Sequence, residues 1–475
     1  MSTTSHRAAT GLRPVLTFRD LVIFYVVAVF GLRLIPFAAS IGPGIVAFWV
    51  VAFLGYCVPL ALTVATLSSR FPEEGGIYVW SKRAFGDFHG FMTAWTYWSA
   101  NFVFFPGILF FAASQSAFVL PGTAELSEDR TYLIGWSVAA IAAVTLLNIR
   151  GLRAATWFHA LSAAARLVPA ALIIGLGLYA LVRYGSATDL SMGNWAPSVA
   201  GIRDLFLLST LAYMFAGFES ASTLGEELKD PRRNVPRALL SAGLLITVLY
   251  IVLSLCLMVL VPATELTGLE GFADAVGAGA ARLGGARLSV LATSFSSAML
   301  VLMILGSASV WFAATARLPF VVGLDRYLPA VFGRVHPRFR TPWVACLFLG
   351  GTTIAFIFLS AFGGRASQIY NIVISLEIVI FFIPNLCLFA SLIKLHGVES
   401  RPGEIRIPGG RVGTLAIGGA GFLVTAVSLG LALIPGEGVE DVALFYSSVL
   451  GSLALNLAVG VGLYLFGRRR RSSVQ

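Results

Sequence analysis

Charge is scarce in this chain: Asp, Glu, Lys and Arg make up 12% of its 475 residues, about half the share in ordinary soluble domains. Cysteine is scarcer still. Cys57, Cys256, Cys346 and Cys387 lie far apart inside apolar runs, which excludes a disulfide framework and a metal-type spacing and predicts buried free thiols. Four of the five histidines, His89, His159, His336 and His396, fall near the ends of apolar runs and not together, so no metal centre, cofactor or enzyme chemistry is expected. Polar stretches long enough for a separate soluble domain are missing as well.

Hydrophobic side chains fill the space left, at 57% of the sequence and a mean hydropathy of +0.86, a composition that water does not solvate. Apolar runs of about 20 residues, the length that crosses ~30 Å of hydrocarbon as a helix, recur from end to end. Read against Gly, Pro and charge clusters, they predict an all-α membrane protein with helices over 19–40, 43–68, 87–119, 131–149, 155–183, 203–225, 236–261, 287–317, 342–361, 366–393, 412–434 and 442–466. The first run leads directly into a second, which predicts an uncleaved first helix and not a signal peptide. The link 70–86, with Gly75-Gly76 and an amphipathic stretch, predicts a helix along the interface. A second such link is expected at 318–341, and a short re-entrant or extracellular helix within 263–285.

The net charge of +10 raises the question of nucleic acid, and its distribution answers it. Alternate links carry 25 Lys and Arg, in 7–19, 70–83, 150–153, 229–237, 317–340, 394–411 and 468–471, whereas the opposite links carry six: Arg130, Arg183, Arg203, Arg282, Arg287 and Arg365. That asymmetry predicts an inner-membrane protein with both termini in the cytoplasm and no nucleic-acid partner.

The spacing of the first five runs nearly repeats in the next five: the third begins near 87 and the eighth near 287, and both are long. An odd-numbered repeat must start from opposite faces, so the order predicts a five-plus-five inverted pair with two helices added. The expected organisation is an N-terminal segment 1–18, a first repeat 19–185, a second 186–393, helices 11 and 12 within 394–467, and a basic tail 468–475.

The two remaining basic residues, Arg33 and Arg166, fall inside apolar runs, as do Glu219 and Glu377. Each costs at least ~2.5–3.5 kcal/mol at mid-bilayer, so each is expected to face a polar cavity or a partner. Gly31-Leu32-Arg33 and Gly217-Phe218-Glu219 occupy equivalent points of the two halves, and a Gly beside a charge marks a candidate helix break. Groups freed by two breaks suit a zwitterion: N–H groups for its carboxylate, carbonyls for its ammonium. The bland reading of each Gly is a packing contact.

Two readings stay open for Glu219, a proton-titrating carboxylate or the permanent partner of a cation such as Arg33. Arg166 is read as a fixed cation tying the fifth helix to carbonyls near the first break, in the place of a sodium ion, against the alternative of an Arg snorkelling to the interface. Tyr213, Phe215, Phe218, Trp311 and Phe105 are candidate aromatic gates. Asn101 is the preferred polar site candidate over Asn371.

Three segments carry a family resemblance: RFPEEGGIYVWSKRAFG at 70–86, FAGFESASTLGEELKDPRRNVPRAL at 215–239 and WFAATARLPFVVGLDRYLPAVFGRVHPRFRTP at 311–342. Over essentially its full length the chain resembles the amino acid-polyamine-organocation (APC) superfamily, and within it bacterial permeases related to glutamate/GABA antiporters. The resemblance implies a LeuT-type fold and secondary active transport of amino acids, by proton coupling or exchange, with antiport among the modes.

It also implies that Tyr213, Ala216, Gly217, Phe218, Glu219 and Ser220 match the helix 6 pattern lining the substrate site, and that Glu219 is a candidate for proton linkage. Trp311 matches a tryptophan that lines or gates the pocket of arginine/agmatine exchangers. Arg166 stands where many relatives place a lysine in the role of sodium, which implies sodium independence. The helix 1 pattern departs from the usual one: Val29, Phe30, Gly31 and Leu32 end in Arg33, an unusual arginine that either holds a substrate carboxylate or fills the pocket beside Glu219. Glu377 stands where polyamine carriers place an acid, which keeps a cationic amine open as substrate. The short sequence after the last run leads us to expect no carboxy-terminal plug. A non-transporting nutrient sensor is the rival outside transport. The expected partners are an amino acid or amine, protons and the lipid bilayer, with oligomeric state open.

Overall fold

In the computed structural model, residues 17–71, 76–150, 152–196, 202–219, 231–266, 270–321, 327–339, 341–360, 366–397, 404–436, 439 and 441–472 are described. Among them the chain is all-α. Helix α1 is in two pieces, Phe18–Val29 and Ile35–Ala39; α2 spans Ile45–Arg70, with a π-helical turn at Phe53–Cys57; α3 is Asp87–Ala117, α4 Arg130–Arg150 and α5 Leu152–Tyr184. Helix α6 is Ile202–Tyr213, α7 Pro231–Leu260, α8 Gly271–Val321, α9 Trp343–Ser360, α10 Ala366–Lys394, α11 Gly410–Leu431 and α12 Val442–Ser472. Nine of these are long and apolar enough to cross a membrane. With the interrupted α1 and α6 and the shorter α9, the described residues hold the twelve helices that the apolar runs predict.

Local chemistry sets where several elements start and stop. Thr17 and Asp20 form a capping box that begins α1, with the Thr17 amide donating to Asp20 Oδ2 at 2.8 Å. Pro36 sits in the first turn of the second piece of α1, where its missing amide costs nothing. The same ring would clash with the carbonyl of residue 32 in a continuous helix, so it helps to force the gap before it. The gap is visible in the ladder, which stops at Phe30 N–H to Val26 O (2.9 Å) and resumes at Ile35 N–H to Leu32 O (3.3 Å).

Gly217 breaks the sixth helix at φ +110°, a conformation that glycine reaches without strain. A tight turn covers 214–217, with Ala216 N–H bonded to Tyr213 O at 2.8 Å. The part of the expected sixth helix at 220–225, Ser220 included, lies outside the described residues. Gly284 and Gly285 likewise divide the long α8, so a short helix precedes its main span, in line with the one expected within 263–285.

The ends of the helices place the basic links together. Arg70 at the end of α2 donates to Leu395 O at 3.1 Å beyond α10 and lies 3.8 Å from Glu404. The 70–86 link holds a short helix, Ile77–Phe85, where one is expected, and it packs against α10, with Lys394 over the Phe85 ring. Tyr327 beyond α8 stacks on Tyr464 of α12, and Thr341 donates to Ile149 O at the end of α4. In the 318–341 link the described residues hold one 3₁₀ turn, Ala330–Gly333. All four cysteines are free; three are buried and Cys387 is half-buried.

Helices α5 and α8 share the most extensive contact among the described residues. A Cβ on Gly306 would lie 1.9 Å from Ser162 Oγ, so only glycine lets the two backbones approach this far. This pairing carries Arg166 of α5 and Ser307 of α8 to the same depth as the α1 break.

Candidate functional site between the two helix breaks

A cavity of about 160 Å³ lies where the interrupted parts of α1 and α6 face α3, α8 and α10. Val29, Phe30, Gly31, Leu32 and Arg33 line it from the α1 break, and Tyr213, Ala216 and Gly217 from the α6 break. Asn101, Arg166, Trp311 and Glu377 complete the lining expected from sequence. Gly217 faces both Val29 and Trp311: an added Cβ would make ordinary contact with Val29 Cγ2 at 3.4 Å and Trp311 Cζ2 at 3.5 Å, so its backbone angle and not lack of space calls for glycine.

The two breaks are tied together by a residue with no signal in the sequence pattern. Tyr250 of α7 accepts from Gly31 N–H at 3.2 Å, and its hydroxyl lies 3.2 Å from the carbonyls of both Val29 and Met214, to either of which it donates. Its ring stacks on Trp49 and Phe30. One phenol thus satisfies groups freed from both broken helices, which buried backbone requires.

Arg166 is buried within the protein. Its guanidinium donates to Phe30 O at the α1 break and, at 2.6 Å, to Ser307 Oγ. A fixed cation therefore joins α5, α1 and α8 at the point where the helix 1 carbonyls are exposed.

Arg33 and Glu377 meet across the cavity wall. Arg33 Nη2 lies 3.0 Å from Glu377 Oε1 and 3.2 Å from Oε2, and Tyr213 also donates to Oε1. The Arg33 guanidinium sits 6.0 Å from the centre of the Tyr370 ring. Gly107, next to Pro106 in α3, makes room for the pair: a Cβ there would fall 2.7 Å from Arg33 Nη1 and 2.9 Å from Glu377 Oε2.

This pairing corrects one of the two readings of Glu219, because the cation expected beside it is taken by Glu377. Glu219 instead accepts from the Tyr97 hydroxyl at 3.2 Å and from Gly217 N–H at 3.1 Å, partners that are both neutral. It does not line the cavity directly; it holds the Gly217 turn from behind. It also corrects the placing of Arg33 beside Glu219.

Three candidate gates do not line the cavity either. Phe215 packs edge-on against Trp49 and Tyr250, and Phe218 tilts against Tyr25, because the turn at 214–217 swings both rings into the core. Phe105 is turned onto Phe312, while its neighbour Phe104 lines the cavity beside Trp311. Asn101 is buried, with its amide on Tyr97 O at 3.0 Å and its carbonyl accepting from Thr315 at 3.1 Å. Asn371 is buried in α10. Ser307, Phe381 and Ile108 line the cavity without having been singled out from sequence. Among the described residues no cluster of His, Cys, Asp or Glu is arranged to hold a metal.

Comparison with known proteins agrees with this architecture. A family model described as amino acid permease matches residues 16–455. An uncharacterized transporter of Legionella pneumophila is 29% identical over 459 residues, covering 93% of this chain and 95% of its own length. Uncharacterized transporters of Mycobacterium bovis and Mycobacterium tuberculosis are 28% identical over 328 residues, 68% of each chain. A multi-pass helical membrane protein matched from residue 16 to residue 455, with two broken helices enclosing a small central cavity, belongs to the amino acid permease family of the APC superfamily.

Proposed function

We propose that this chain carries amino acids across the inner membrane by alternating access, without sodium, and with coupling to protons or to exchange. The cavity bounded by both helix breaks carries this reading. The Leu32 and Arg33 amides lie outside the helix 1 ladder and beside a fixed cation, a setting that favours a carboxylate. The α6 turn adds carbonyls for an ammonium group. Both termini lie in the cytoplasm, as the basic links support. Substrate binds between the broken α1 and α6, and the bundle that holds them rocks against α3, α4, α8 and α9, the two repeats 19–185 and 186–393 each supplying one half of both parts, with α11 and α12 added after them.

Arg166 supports sodium independence, since its guanidinium occupies the position between the helix 1 carbonyl and the helix 8 hydroxyl where a monovalent cation would bind. Glu219 is the acid at the site that no cation among the described residues fixes in one charge state, which makes it the candidate proton carrier. The polyamine reading is weakened, because the Glu377 carboxylate it relies on is occupied by Arg33.

Counterflow in proteoliposomes tests the proposal. Vesicles loaded with a mixture of unlabelled amino acids are expected to accumulate labelled amino acid from outside, equally in sodium and in potassium. Absence of flux alongside retained binding would instead identify a sensor, and a sodium requirement would contradict the role given to Arg166.

A further inference from the structure

The inventory of polar groups around the cavity is short, and nearly all of them are used within the protein. Glu377 is held by Arg33 and by the Tyr213 hydroxyl. Arg166 is held by Phe30 O and Ser307. The Asn101 amide donates to Tyr97 O and Trp98 O, and its carbonyl accepts from Thr315. Tyr250 serves the two breaks. The rest of the wall is apolar, formed by Ala100, Phe104, Ile108, Met303, Ile304 and Phe381.

Volume restricts the occupant further. At about 160 Å³ the cavity is close in size to one of roughly 150 Å³ that admits a single benzene-sized molecule. An amino acid with a short side chain fits that space; putrescine has the same six heavy atoms as alanine, so volume does not separate the two and the discrimination has to come from charge.

Resting on the amino acid reading above, we infer that the Arg33–Glu377 pair is the selector of substrate charge, and that by cancelling itself in the cavity wall it restricts transport to amino acids with short, uncharged, apolar side chains. A substrate carboxylate approaching Arg33 meets the Glu377 charge 3.0 Å away, and an ammonium approaching Glu377 meets the guanidinium. Neither sign finds a net counter-charge, and each would lose its hydration on entry, a cost that only a paired partner offsets. An apolar side chain meets no such cost and gains contact with the apolar wall.

The pair is also poised to expose either sign. Arg33 Nη1 lies against Gly107, is buried, and has no hydrogen-bond partner among the described residues. With Glu377 neutralised, that guanidinium becomes a free cation at the wall. With Arg33 neutralised, Glu377 becomes a free anion. Selectivity of this kind works by an unpaired charge set against the wrong substrate, as well as by contacts to the right one.

The test is uptake into proteoliposomes of labelled alanine, glutamate and putrescine by the full-length chain and by Glu377→Gln and Arg33→Gln. The wild-type chain is expected to prefer alanine over both charged compounds by at least about tenfold, equivalent to ~1.4 kcal/mol. Glu377→Gln is expected to raise the ratio of glutamate to alanine uptake by about tenfold or more, and Arg33→Gln to raise the ratio of putrescine to alanine by a similar factor. Wild-type preference for glutamate or putrescine would overturn the inference while leaving the amino acid or amine carrier intact. Absence of any uptake of the three, or of other amino acids in a counterflow panel, would instead overturn the underlying reading of function. Variants that elute as the wild-type chain does but gain no charged substrate also overturn the inference. If a single variant fails to fold, competition of wild-type alanine uptake decides: valine and glycine are expected to compete, and a tenfold excess of glutamate or lysine competing equally well would count against the selector.

Discussion

Two ion pairs in this molecule have nearly the same geometry and opposite consequences. Lys82 and Asp87, at the junction of the short helix Ile77–Phe85 with α3, are 2.7 Å apart, with side chains 37% and 49% exposed. Arg33 and Glu377 are 3.0 Å apart, with side chains 10% and 1% exposed. The shorter pair is the weaker one, because water solvates both of its ions whether they meet or not. In the buried pair each ion is the other's solvent, so removing one leaves the other stranded. What separates the two is the medium, and the function follows the medium.

Breaking the buried pair on one side gives the largest effect. Glu377→Ala or Arg33→Ala is expected to destabilise the detergent-solubilised protein by about 3–5 kcal/mol, read as a lower thermal midpoint. Joint replacement, Arg33→Met with Glu377→Leu, is expected to recover most of that loss, since the stranded charge is gone. Equal losses in the single and joint variants would show that the pair acts through packing and not through charge.

Gly107→Val attacks the same pair without replacing either ion. The new side chain would start 2.7 Å from Arg33 Nη1 and 2.9 Å from Glu377 Oε2. Overpacking of this kind costs about 1–3 kcal/mol and is expected to abolish uptake at the same time. Gly135, where an added Cβ meets nothing within 4 Å, supplies the control: Gly135→Ala is expected to leave the thermal midpoint at or above that of the wild type.

Between these extremes lies Glu219, as buried as Glu377 but partnered by the neutral Tyr97 hydroxyl and Gly217 amide. Glu219→Gln keeps the shape and one acceptor, so stability is expected to change by about 1 kcal/mol. The informative readout is uptake against external pH. The variant is expected to lose the pH dependence of net uptake while retaining exchange of amino acid for amino acid. A variant whose pH profile matches the wild type would remove Glu219 from the proton pathway.

How much of this was legible in the sequence differs by scale. The twelve helices follow from apolar runs, because lipid admits few alternatives to a helix. The breaks at Gly31 and Gly217 were visible as Gly beside an intramembrane charge, and Pro36, four residues past Leu32, was a further signal for the first break that the Gly pattern overshadowed. All four intramembrane ions were found, since their cost makes them conspicuous. Who pairs with whom was not legible: Arg33 and Glu377 are 344 positions apart, and nothing local distinguishes Glu377 from Glu219 as the partner. Tyr250 and Ser307 escaped because Tyr and Ser are ordinary inside a membrane helix. Their roles exist only once α7 and α8 are brought against the α1 gap. Phe215 and Phe218 were misplaced for a related reason: the turn at 214–217 reverses which way each side chain faces, and a helical wheel cannot anticipate it.

The smallest effect completes the comparison at the exposed pair. Lys82→Ala is expected to cost about 0.2–1 kcal/mol, and this electrostatic contribution is expected to fade in 1 M salt, where the screening length falls to ~3 Å. The hydrogen bond to Asp87 raises the Lys82 ammonium above its ordinary range. A cation whose folded-state value is raised stabilises fully below the unfolded value, near ~10.4, and loses that contribution as pH climbs through the higher folded value. Wild-type and Lys82→Ala midpoints are therefore expected to differ by a constant small amount from neutral pH to about pH 10 and to converge above it. The buried pair gives the contrast: the Arg33→Ala deficit is expected to persist in 1 M salt, because a pair with side chains 10% and 1% exposed is screened far less than a surface pair.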